Sequence, residues 1–81
     1  MKIYKIAYLD EYKRVWEVFE GIEIVKAKEL VDYVETMNAN GRIYEENYNE
    51  FLEKHPKGIV TEKDAIELLE MDGYSIDSQT I

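Results

Sequence analysis

The spacing of apolar residues changes period once, near Ala27, and that change restricts the chain to folds that join a sheet to helices. Upstream of it, residues 2–9 alternate. Tyr4, Ile6 and Tyr8 share one face of an extended ribbon, and Ile3, Ala7 and Leu9 the other. A polar interruption, Asp10-Glu11-Tyr12-Lys13, precedes a second β-rich run over residues 14–20. The spacing predicts a hairpin with a loop of about four residues. Gly21 permits a bend, and residues 22–26 predict a third strand.

From Ala27 the repeat is helical. Ala27, Leu30, Val31, Val34 and Met37 form one stripe, with Tyr33 at its margin. Asn38-Ala39-Asn40-Gly41 is a stop, because Asn and Gly accept the left-handed conformation that closes a helix. Arg42-Ile43-Tyr44 reads as a short strand or a loop. A second helix is predicted over residues 45–54, with Tyr44, Tyr48, Phe51 and Leu52 on one stripe and Glu46, Glu50 and Glu53 opposite. Pro56 ends it by forcing the preceding residue out of helical geometry. Thr61 then caps a third helix, with Asp64 three residues on and Ala65, Ile66, Leu68 and Leu69 as its apolar stripe. Gly73 terminates it, Tyr74 packs back on it, and residues 75–81 are expected as a frayed tail.

The expectation is a single α+β domain over residues 1–81: a small N-terminal antiparallel sheet of two or three strands against two or three amphipathic helices. The expected core is Ile6, Val15, Val18, Leu30, Val34, Tyr48, Phe51, Ile66 and Leu69. Without cysteine, no disulfide can staple so small a core. It must come from aliphatic and aromatic side chains, or be completed by a second copy or a partner. No apolar run has signal-peptide or membrane-span length, which points to a cytoplasmic protein and no membrane partner.

Catalytic and metal motifs are absent from the sequence. The single histidine, His55, reads as an exposed residue at a helix end, with no orienting partner near it in the chain. Ser75 and Ser78 fall in the expected tail. Asp72 to Asp77 resembles a calcium loop only in part, since its glycine stands second rather than sixth. The four glycines are scattered, so no phosphate-binding loop exists. These readings predict a protein that is not an enzyme and holds neither metal nor cofactor.

Charge supplies the functional expectation. Residues 1–28 carry a net +1, residues 29–61 a net −4 and residues 62–81 a net −5, which make up the −8 of the chain. An excess of anionic groups disfavours direct nucleic-acid binding, and a helix-turn-helix over residues 45–72 would present Glu67 and Glu70 to the groove. The helical stripes bear few interrupting lysines, unlike an ordinary salt-bridged face. Such a surface steers association with a basic protein. The bland reading is that acidity keeps a small protein soluble.

In size and charge the chain resembles the small acidic inhibitors of phages and viruses, DNA mimics included, that block bacterial defence nucleases. It is similar too to immunity proteins and antitoxins that neutralise basic toxins. Enrichment in Ile, Lys, Asn and Tyr over Gly, Ala, Arg and Pro suggests an AT-rich gene, which suits a phage or virus acting in its host's cytoplasm. That resemblance implies an inhibitor of a basic nucleic-acid-handling host or defence protein. The expected contact residues are Glu46, Glu50, Glu53, Glu67 and Glu70, with Tyr33, Tyr44 and Tyr48 as aromatic anchors. The alternative is a self-associating module, a homodimer joined through Tyr8, Tyr12 and Trp16.

Overall fold

The computed structural model describes residues 1–8 and 23–81, with Tyr8 described by its backbone alone. Among the described residues, three strands, three helices and a 3-10 turn follow one another as β1 (Lys2–Tyr8), β2 (Glu23–Lys26), the turn (Ala27–Glu29), α1 (Leu30–Ala39), α2 (Glu45–Lys54), α3 (Glu62–Met71) and β3 (Tyr74–Thr80). The architecture is α+β, as the change of period predicts.

β1 is the middle strand, antiparallel to both neighbours in the order β2-β1-β3. Tyr4 lies opposite Val25 and Ser78, and Ile6 opposite Glu23 and Ile76. Directly opposed side chains share a face of the sheet. Tyr4, Ile6, Val25, Tyr74 and Ile76 therefore make one apolar face, which meets Leu30, Val34 and Met37 of α1, Phe51 of α2 and Ala65, Leu68 and Leu69 of α3 in a continuous core. Ile43 and Ile59, from the connections on either side of α2, complete it. Of the expected core, Ile6, Leu30, Val34, Phe51 and Leu69 are buried, while Tyr48 and Ile66 are partly buried and pack against it. The expected strand over residues 14–20, with Val15 and Val18, lies outside the described residues.

The helix ends obey local chemistry. At the close of α1, Gly41 adopts φ 75°, the Arg42 N–H donates to the Met37 carbonyl at 2.9 Å and the Gly41 N–H to that of Asn38 at 3.1 Å. These two bonds form a Schellman motif, which satisfies carbonyls the helix would otherwise leave unpaired. At the start of α3 the Thr61 hydroxyl accepts from the Asp64 N–H at 3.2 Å, and the Asp64 carboxylate accepts from the Thr61 N–H at 3.1 Å. This is the reciprocal capping box, with Asp in place of Glu.

Residues 75–81, expected as a frayed tail, are instead almost wholly strand. β3 pairs with β1 from Tyr8↔Tyr74 to Lys2↔Thr80. The pairing extends to the residues beyond, where the Met1 nitrogen donates to the Ile81 carbonyl at 2.8 Å and the Ile81 N–H to that of Met1 at 2.7 Å. The third strand of the sheet thus comes from the far end of the chain, not from the N-terminal segment alone. The sequence Tyr-Ser-Ile-Asp-Ser-Gln-Thr hides this because an edge strand with one wet face needs few apolar residues. Its stability comes from the ladder to β1, which no local pattern records.

Two outcomes follow. Deleting residues 75–81 should abolish the cooperative thermal transition seen by circular dichroism, because β1 would lose one whole ladder; an unchanged melting temperature would show the segment to be dispensable. Thr61→Ala should lower stability by about 1 kcal/mol in urea denaturation, the usual worth of a helix N-cap.

Candidate functional site

Glutamates four and then three residues apart fall on one side of an α-helix, with Cβ atoms about 5–6 Å apart. On α2, Phe51 turns into the core and takes Tyr48 with it, their ring centroids 6.4 Å apart. Glu46, Glu50 and Glu53 are consequently exposed on the opposite side. Among the described residues none of the three forms an ion pair, and neither does the exposed Glu70 of α3.

Contacts at both ends show α2 and α3 running antiparallel. At one end, the Asp72 carboxylate accepts from the Tyr44 N–H at 3.2 Å and from the Asn47 side-chain amide at 2.7 Å. Asp72 is only 3% exposed, and it supplies to the start of α2 the cap that Tyr44 itself does not. The Tyr74 hydroxyl donates to the Arg42 carbonyl at 2.9 Å beside it, and the Arg42 guanidinium bonds Glu23 of β2 at 3.0 Å. Tyr44, Asn47 and Glu70 line an open groove of about 680 Å³ here, together with the run from Met71 to Asp77. In the sequence Asp72 is only the residue before the helix-ending Gly73, and this role is not legible there. The only local signal was an acidic residue beside Gly73.

At the other end His55 closes α2. Its ring stacks on Phe51 with centroids 4.5 Å apart, Nε2 lies 2.6 Å from Glu67 Oε2, and Nδ1 faces Asp64 at 3.6 Å. This corrects the expectation of an exposed histidine without partners. Its carboxylates stand nine and twelve residues along the chain, beyond local pattern, and reach it only because the helices pack antiparallel. The cluster clamps the end of α2 to α3. The Asp64 carboxyl is held below its usual range chiefly by the Thr61 and Val60 N–H groups that donate to it.

The expected contact residues therefore divide. Glu46, Glu50, Glu53 and Glu70 are free carboxylates in solvent, and Tyr44 stands 52% exposed above the groove. Glu67 is engaged with His55. Tyr33 and Tyr48 are partly buried against the core, and the Tyr33 hydroxyl is enclosed without a hydrogen-bond partner. Tyr12 and Trp16 lie outside the described residues. Lysines gather elsewhere: Lys2, Lys26 and Lys28 surround a small cavity of about 240 Å³ with Met1 and Ala27. No group of three or more His, Cys, Asp or Glu among the described residues is arranged to hold a metal ion. No described helix is long and apolar enough to cross a membrane. No protein-family model matches the chain, and no curated protein or solved structure matches it.

Asp72→Ala should destabilise the protein by about 1–3 kcal/mol, since the Tyr44 N–H and the Asn47 amide would lose their acceptor in a buried place; urea denaturation of the variant measures it. For Asp64 the sign runs from its lowered folded-state pKa. Its stabilising contribution is complete above the ordinary carboxylate range and disappears as pH falls through the lower folded value. The stability gap between the natural chain and Asp64→Asn should accordingly be widest near neutrality and close below about pH 4. A gap independent of pH would remove the charge from the account.

Proposed function

We propose that this protein is a small acidic inhibitor. It binds a basic nucleic-acid-handling protein, of a host or of its defences, through the carboxylates of α2 and of the groove beside it. The supporting observation is the row Glu46, Glu50 and Glu53, exposed, adjacent at helical spacing and without ion pairs among the described residues. The spacing of such a row is comparable to that of phosphates along one nucleic-acid strand, so it suits a groove built for nucleic acid. Carboxylates without an ion-pair partner are not cancelled locally, and their summed field, strongest at low salt, raises the rate of encounter with a cationic surface. Tyr44 adds an exposed aromatic beside the groove, of the kind that anchors interfaces.

The reading is tested by affinity capture from host extract on the immobilised protein, washed at about 50 mM and then about 500 mM salt. Basic nucleic-acid-binding proteins should be retained at low salt and released at high salt. The double variant Glu46→Lys, Glu50→Lys should retain far less of them while melting at nearly the same temperature. Capture indifferent both to salt and to the charge reversal would refute the reading.

A further inference from the structure

An antiparallel ladder alternates residues that exchange both hydrogen bonds with their partner and residues that turn both backbone groups away. Met1 and Ile81 exchange both. The register from Lys2↔Thr80 to Tyr8↔Tyr74 then directs the backbone groups of Ser75, Asp77 and Gln79 to β1. Those of Ile76, Ser78 and Thr80 point the other way, along the outer border of the sheet as the described residues form it.

Such borders are normally shortened, or guarded by lysine or proline, because they template the addition of a further strand. β2 obeys that rule, with four residues of which Glu23 and Lys26 are charged. β3 does not. It has seven residues, no proline, no lysine and one charge, Asp77. The groove bordered by Tyr44, Asn47 and Glu70 lies alongside its first half, with Ile76 and Asp77 in its wall.

We propose that the β3 border receives an extended, lysine- or arginine-bearing segment of a partner protein as a fourth strand, whose alternate side chains enter the groove toward Glu70. Main-chain bonds to Ile76, Ser78 and Thr80 supply the register, and the groove supplies selectivity, as in other cases of strand addition. Charge identifies the occupant. Glu70 and Asp77 are without ion pairs among the described residues. A second copy would bring a further −8 against them, whereas a cationic segment is attracted. The inference rests on the proposed basic partner and adds where and how that partner is held.

The test is a titration of the ¹⁵N-labelled full chain with a capped octapeptide of alternating lysine and valine, up to about 1 mM. Amide shifts and slowed hydrogen exchange are expected at Ile76, Ser78 and Thr80 and not in β2. Ser78→Pro removes an outward N–H without touching a bond to β1, and should weaken binding about tenfold. Glu70→Lys should weaken it comparably, and decides the matter if Ser78→Pro fails to fold. An alternating glutamate–valine peptide should leave the spectrum unchanged. Shifts confined to α2 around Glu46, Glu50 and Glu53, with no response to Ser78→Pro, would overturn strand addition while leaving the basic-partner reading intact. Absence of any shift would overturn it as well, and salt-sensitive capture would still judge the partner independently. Slowed exchange at the three amides that depends on protein concentration without peptide would assign the border to a second copy.

Discussion

The double pairing of β1 is the constraint on which the rest of the structure depends. It pairs with β3 from Lys2 to Tyr8 and with β2 from Ile3 to Ile6, and Tyr4 and Ile6 fall at the centre of the sheet's apolar face. That face is what α1, α2 and α3 have to cover. A chain of this length has a modest core and no cysteine to staple it, and here the pairing of β1 with β3 widens the face on which that core is built. The Met1–Ile81 bonds and β3 do this with backbone groups, so the segment concerned can remain polar.

Once the helices are fixed against the sheet, the distribution of charge follows. Each helix spends its apolar stripe on the core, and its carboxylates are carried outward. Among the described residues, ion pairs join Arg42 with Glu23, and His55 with Glu67 and Asp64. The carboxylates of α2 are left over. Among the described residues, Lys2, Lys26 and Lys28 collect by the sheet around one small cavity.

Two polar clamps hold the α2–α3 pair. Asp72 is buried and bridges the beginning of α2 to the end of α3, and His55, stacked on Phe51 of its own helix, does the same at the opposite end through Glu67 and Asp64. Both lie next to residues whose roles are local and readable, Gly73 and Pro56. Neither partner set could be inferred from such neighbours, because the contacts span more than two turns of helix or an intervening loop. The groove that borders β3 is a by-product of the first clamp, since Asp72 fixes Tyr44 and Asn47 at its margin.

The helices were written in the sequence, together with their stops at Gly41, Pro56 and Gly73, the Thr61–Asp64 cap and the outward stripe Glu46, Glu50 and Glu53. All of these depend on residues within about one or two turns of one another, where backbone sterics, capping and the helical period act directly. Tertiary structure alone decided that residues 74–80 form the third strand, that Asp72 caps a helix on which it does not lie, and that His55 has carboxylate partners. Each of these depends on groups distant in the chain meeting in space. A ladder bond or a cross-helix hydrogen bond is made by backbone atoms common to every residue, or by polar side chains with several available partners, and so leaves no periodic trace in the sequence.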